Sequence, residues 1–437
     1  MRAGVPLVAI IAVAVLAAAA RSDDWPQWRG PNRDGKSAET GLLKVWPPEG
    51  PKLLWVAEGL GAGWSSPAIA KGLLFVTGVH GKSEFLYAYD LDGSLQWKEE
   101  IGPAWTKTHP GARYTPTVGG SDLYVLTSGG VVSCYEAKTG AKWWSVDIGD
   151  RFKSSPPSWG FAEGLLLDGE RLICTPGGKD ASLVALDKMT GQTAWTTKGL
   201  GDADAYCAPI LVAQGNARLI VTLTAQNVVG IRADTGACLW RYPFRNLYGD
   251  HCITPIFHEG RLYVAAGYGC GGTLLKLATD GKSVTREWAD TRLDCLHGGV
   301  VLVNGYLYGS GDRNPRWVCL DFGTGEAKYE ERGIGGGCVT YADGMLYCYS
   351  EDGVVAIVPA SPDRYEVASA FRIAKGTGEH WAHPVISGGR LYIRHGDALM
   401  AYDLKQREQG TGSSEPAKGE PAKTQGESAT KGPGGRK

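Results

Sequence analysis

Seven side chains in this sequence are of types that hold a small planar or hydroxylated molecule: Trp64, Arg113, Tyr206, His251, His297, His380 and Trp381. Flat indole and phenol faces stack on a quinone or a sugar ring, while Arg and His hold carboxylates or hydroxyls. They are expected to form a ligand-binding mouth. Other chemistries lack their residues. There is no Gly-x-Ser-x-Gly elbow for a serine nucleophile, and no Cys-x-x-Cys or Cys-x-x-Cys-His. The histidines are too scattered to be read as a metal triad. Asp202 and Asp204, in Gly201-Asp-Ala-Asp-Ala205, could exchange protons, but a loop of that composition is expected to leave them solvated. Gly267-Tyr-Gly-Cys-Gly-Gly272 lies between strand-like runs with no following helix. It reads as a turn, not a phosphate cradle. No catalytic residue and no metal ligand is assigned.

The seven residues are far apart in the chain, so the fold must gather them. A phrase recurs: a small residue, a carboxylate, a glycine, then a large aromatic. Its cleanest copy is Ala185-Leu-Asp187-Lys-Met-Thr-Gly191-Gln-Thr-Ala-Trp195, with degenerate copies at 88–97, 134–144, 230–240 and 319–329. The closing aromatics are Trp97, Trp144, Trp195, Trp240, Trp288, Tyr329 and Phe371, spaced 41 to 51 residues apart. Short strands between glycine turns at that period are the mark of β-propeller blades. Proline recurs at the innermost strand of a unit, at Pro67, Pro116, Pro209, Pro255 and Pro384, as an edge strand lining a channel permits. Lys52-Leu-Leu-Trp-Val56 is a lone strand carrying Trp55, and the last unit, 384–403, has three strands and no closing aromatic. Joined, the two complete a ring and remove an open edge. The expected fold is all-β: an eight-bladed propeller of four-stranded antiparallel blades, the last shared between the N- and C-terminal strands.

Aligning the units puts one residue per blade where its inner strand begins: Trp64, Arg113, Phe161, Tyr206, Cys252, His297, Gly336 and Trp381, with His251 and His380 beside them. The incoming loops add charged residues, among them Lys107, His109, Asp202, Asp204, Asp250 and Glu379.

The ends read differently. Residues 1–20 have the form of a cleaved export signal: Arg2, the apolar run from Val5, and Ala17–Ala20 before Arg21-Ser-Asp-Asp24. An exported protein, periplasmic or extracellular, is expected, with no membrane span after cleavage. Residues 21–51 form an extension expected to cross the outside of the ring, anchored by Trp25 and Trp28. The propeller occupies 52–404. Residues 405–437 lack aromatics and aliphatic runs and are expected to be disordered. The ten cysteines mostly sit in strand-like runs and read as small buried hydrophobes, with one or two disulfides open to an exported chain. A net charge of −1 excludes a field that would draw nucleic acid.

The repeat, with Asp24–Gly35, Cys174-Thr-Pro-Gly-Gly178, Thr222–Gly230 and His297-Gly-Gly-Val-Val-Leu302, resembles exported pyrroloquinoline-quinone-like (PQQ-like) propellers. That superfamily includes quinoprotein alcohol dehydrogenases and a propeller lipoprotein of outer-membrane protein assembly. The resemblance implies that Trp55, Trp97, Trp144, Trp195, Trp240 and Trp288 dock each blade on the next, with Trp195 buried between blades 3 and 4. The chain lacks the vicinal Cys-Cys of the dehydrogenases and a cysteine at the mature N-terminus for lipidation. The function expected is that of a non-catalytic binding or scaffold module, a monomer taking a protein partner or a small planar or sugar ligand. Two alternatives stand beside it: a dehydrogenase of alcohols or sugars using PQQ with Ca²⁺, and a carbohydrate-binding propeller using Trp64 and Trp381.

Overall fold

The computed structural model describes residues 24–406. The expected signal, 1–20, and the tail beyond 406 lie outside the described residues. Eight four-stranded antiparallel sheets follow one another along the chain. Blade 1 is Ala68–Ala70, Leu73–His80, Ser83–Asp90 and Leu95–Pro103. Blades 2 to 7 span residues 117–147, 166–196, 210–243, 256–290, 300–331 and 337–372. Blade 8 joins Val385–Ser387, Arg390–His395 and Ala398–Asp403 to Leu53–Ala57 from the other end of the chain. That joint is antiparallel and pairs Trp55 with Ala401 and Ala57 with Leu399.

The burial pattern explains the strands. The second and third strands of a blade are flanked by neighbouring blades on both faces, so they read as unbroken apolar runs; Leu73–His80 is buried over all but its ends. The outermost strands face water and carry charge, as in Leu95–Pro103. Each recurring proline stands one residue before its inner strand, where a missing N–H costs no ladder bond. Among the described residues no helix is long and apolar enough to cross a membrane.

The joints between blades use the recurring phrase twice. The indole nitrogens of Trp55, Trp97, Trp144, Trp195, Trp240 and Trp288 donate to the backbone carbonyls of Leu91, Ala137, Lys188, Ala233, Gly281 and Phe322, each in the next blade. The phrase's glycine receives the preceding ring. Gly191 has φ 68°, and a Cβ there would stand 2.7 Å from the Trp144 indole. Only glycine tolerates both conditions cheaply. Trp195 is half-buried rather than buried: its ring rests against Gly236 and packs on the core between blades 3 and 4. The seventh position closes differently, with Phe371 seated over Gly50 and packed edge-on to Trp46 at 5.5 Å.

The N-terminal extension does not cross the outside of the ring. Residues 25–37 run through the central channel. Trp25 exchanges both backbone bonds with Ile69 of blade 1, and Pro26 accepts from Val118 of blade 2. Arg33 donates to the carbonyls of Gly164, Leu165 and Pro209 in blades 3 and 4. Trp28 donates to Thr254 at the start of blade 5, and Arg29 to Val300 of blade 6. Lys36–Ser37 then pairs in parallel with Tyr341 and Ala342 of blade 7. Inner strands leave carbonyls and amides facing the channel, and this segment satisfies them. Only the later part reaches the periphery, where Glu39 accepts from Gly388 and Gly389, and Trp46 packs between blades 7 and 8. The ten cysteines are free thiols, seven of them buried.

Candidate functional site

The plug turns a through-channel into a blind funnel of about 370 Å³. Its floor includes Trp28, which packs on His383 at 4.5 Å. Trp64, Arg113, Tyr206, Cys252, His297 and Trp381 line it from the starts of six inner strands. Of the seven expected ligand-binding residues, the structure therefore brings five together: Trp64, Arg113, Tyr206, His297 and Trp381.

Two aromatic groups form the walls. In one, Trp64 lies 5.1 Å from Trp381, His297 lies 4.8 Å from Trp381, and His109 packs on both indoles. The Arg113 guanidinium covers Trp64 at 5.2 Å. In the other, Trp159 lies 5.9 Å from Tyr206 and 6.0 Å from Tyr248, and Tyr248 meets Tyr268 edge-on at 4.7 Å. Asp250, Asp312 and Glu351 add carboxyl groups to the lining. Three of the lining residues, His109, Tyr206 and Tyr268, hold the left-handed backbone conformation, with φ 48°, 68° and 62°. For bulky side chains that conformation costs about 1–3 kcal/mol each, and such costs concentrate at functional sites. Most other non-glycine residues in that region sit in hairpin turns or in the plug.

Several polar groups of the funnel are already engaged. Arg113 donates to the carbonyls of Gly111, Trp159 and His109. Burial lowers its pKa to about 10. Burial likewise brings His297 down to about 4, so it stands neutral. Asp250 accepts from the Cys252 thiol at 2.9 Å and the Tyr268 hydroxyl at 3.4 Å, and burial raises its pKa. Burial, then the Asp250 charge, pushes the Cys252 thiol well up, away from thiolate character. Glu351 is raised by burial and then by Asp312, a like charge beside it.

The other two expected residues lie elsewhere. His251 is buried behind the wall, with Nδ1 2.8 Å from the Thr224 carbonyl and its ring on Phe244. One residue's shift along an extended chain turns a side chain to the opposite face, and Cys252 takes the lining place. His380 bonds the Tyr349 hydroxyl at 2.5 Å and stacks on His395 at 3.7 Å, at the joint of blades 7 and 8. Asp202 and Asp204 are not solvated. Asp202 accepts from Thr224 and Asn227, each at 2.6 Å, and Asp204 accepts from Thr175 at 2.9 Å. They tie loops together.

Trp28, Trp159, Tyr268, Asp312 and Glu351 were not legible as site residues. The last three sit at the tips of hairpins between second and third strands. In an up-and-down blade those tips emerge on the face where inner strands begin, and that rule alone would have placed them.

A PQQ–Ca²⁺ pair does not fit these residues. PQQ is a tricarboxylate, and it would meet three carboxyl groups and one guanidinium whose donors are already engaged. Among the described residues no three His, Cys, Asp or Glu side chains gather as a cation's ligands.

The family model described as outer membrane protein assembly factor BamB, built on PQQ-like repeats, matches residues 82–331, more than half of the chain. The chain belongs to this family. A curated relative, outer membrane protein assembly factor BamB of Burkholderia pseudomallei (strain K96243), is 25% identical over 263 residues, covering 50% of this chain and 66% of the relative. The chain thus spans just under two thirds of that relative's length. Among solved structures, BamB from Moraxella catarrhalis aligns with a TM-score of 0.59 and 17% identity, covering 81% of this chain and 99% of that one. Quinohemoprotein alcohol dehydrogenase from Comamonas testosteroni aligns with a TM-score of 0.65 and 13% identity, covering 92% and 84%. At these identities both speak for the fold alone.

Proposed function

We propose that this chain is an exported, non-catalytic binding propeller, with the ring as scaffold and the blind funnel as the element that takes a ligand or the end of a partner's side chain. The observation that carries the reading is the funnel itself. Backbone strain is maintained at Tyr206, Tyr268 and His109 to present aromatic faces to one cavity. The same cavity offers no activated nucleophile beside a base, since its thiol is held protonated against Asp250. The kinship with an outer membrane assembly factor favours a module that binds.

The test has two arms. With PQQ and Ca²⁺ added to the full chain, no melting shift and no dye-linked turnover of alcohols or sugars is expected. A ligand at 100 times its Kd would add about 2.7 kcal/mol of stability, so a shift of that size together with turnover would overturn the reading. In the other arm, a panel of peptides, amines and oligosaccharides is titrated while tryptophan emission is followed. A saturable change that disappears in Trp64→Phe/Trp381→Phe is expected.

A further inference from the structure

We infer that the funnel takes an organic cation: a primary ammonium or guanidinium group on an alkyl chain. The inference rests on the funnel being the binding element and names what it selects.

The funnel is not symmetrical. Its carboxyl groups come from three consecutive blades: Asp250 enters blade 5, Asp312 caps a hairpin of blade 6, and Glu351 caps a hairpin of blade 7. Asp250 is held in place by Cys252 and Tyr268. Asp312 accepts from the Tyr268 amide at 2.9 Å. Arg113 enters blade 2, which faces blade 6 across an eightfold ring, and it is bound to carbonyls on its own side. It does not reach the acidic wall. Between the two sides stand the faces of Trp159, Tyr206, Trp64 and Trp381, and Tyr268 stands on the acidic side.

Carboxylates beside aromatic faces are the surroundings an organic cation prefers. The ring quadrupole attracts the positive charge, and the partial desolvation of the site strengthens that attraction. An anion would meet three carboxyl groups. A neutral sugar would leave the acidic wall without a counter-charge. The floor at Trp28 limits entry to a chain end, which suits a side chain or a terminal amine. The same ammonium can come from a free polyamine or from a lysine of a peptide.

The experiment is isothermal titration calorimetry on the full chain with spermidine, with acetyl-Gly-Lys-Gly-amide, and with maltotriose as the neutral control. Saturable binding of at least one cation and none of maltotriose is expected. Asp312→Asn/Glu351→Gln should weaken that binding by about tenfold and leave the melting temperature unchanged; if the pair disturbs folding, Glu351→Gln alone, a nearly isosteric change, serves. Binding of spermidine alone assigns a free polyamine, and binding of the peptide assigns a basic side chain. Maltotriose binding lost in Trp64→Phe/Trp381→Phe, with neither cation binding, overturns the cation and leaves the funnel as a binding element. Cation binding unaltered in the acidic-wall variants also overturns it. Silence from every probe removes both this inference and the reading beneath it.

Discussion

Six of the eight blades offer the outer girdle an indole that reaches the next blade, and five of those indoles lie against a glycine there. At the funnel mouth, six blades contribute five kinds of side chain. Trp55, Trp97, Trp144, Trp195, Trp240 and Trp288 all donate to a carbonyl of the following blade. Trp64, Arg113, Tyr206, Cys252, His297 and Trp381 hold equivalent places in six blades, yet they offer indole, guanidinium, phenol, thiol and imidazole groups. Both regions come from one repeat. Where the repeat holds its residues, it closes the ring. Where it lets them diverge, it builds a mouth whose lining changes from blade to blade.

The largest effect should come from removing what serves both regions. Deleting residues 24–57 takes away the channel plug and the closing strand. Cooperative melting, followed by circular dichroism, should vanish; an unchanged transition would break the shared-blade account. In the girdle, Trp144→Ala should cost about 3–4 kcal/mol in urea unfolding. Gly191→Ala should cost about 2 kcal/mol, from the left-handed backbone and the crowded indole. A double-mutant cycle sharpens the point: with Trp144 already truncated, Gly191→Ala should cost less. Strict additivity would mean that the two do not form one joint.

Glu84 lies between girdle and funnel. It is buried, accepts from the Ser128 amide at 3.2 Å, and burial raises its pKa to about 7. A carboxyl raised on folding stabilises the fold while protonated. That contribution is present below about pH 4.5 and is lost as pH rises through 7. It is worth at most about 3 kcal/mol. Comparing unfolding free energies of wild type and Glu84→Gln from pH 4 to 8 should show the variant gaining on wild type as pH rises. Parallel curves would count against a buried, protonated Glu84.

The smallest effect on stability belongs to the funnel. Tyr268→Gly relieves a left-handed backbone while losing a half-buried ring, so the change in unfolding free energy should stay within about 1 kcal/mol. A loss as large as that at Trp144 would make the funnel part of the scaffold and erase the contrast.

The girdle was legible in the sequence because its residues recur; period, glycine and aromatic all agreed. Five funnel residues were legible because each marks the start of an inner strand. His251 misled because a neighbour of such a position faces the other way. His380 misled because a loop residue can fold back into a joint. The channel plug was not legible at all. Asp24–Gly35 has no period, and its fit depends on carbonyls of Gly164, Leu165, Pro209 and Val300, which no local pattern exposes. The buried places of Asp202 and Asp204 were hidden for the same reason: their partners, Thr224, Asn227 and Thr175, come from other strands.

The pairing of Leu53–Ala57 with Ala398–Asp403 has a consequence in time. One strand of the eighth blade is made first and its partners last, so no sheet of that blade can be complete until the whole ring has been synthesised. Until then Leu53–Ala57 is an unsatisfied strand, open to pairing with another molecule. Bringing such distant segments together carries a loop-closure cost that slows the final step. The ring should therefore assemble its middle blades quickly and latch late. The slow phase of refolding should report the meeting of Leu53–Ala57 with Ala398–Asp403.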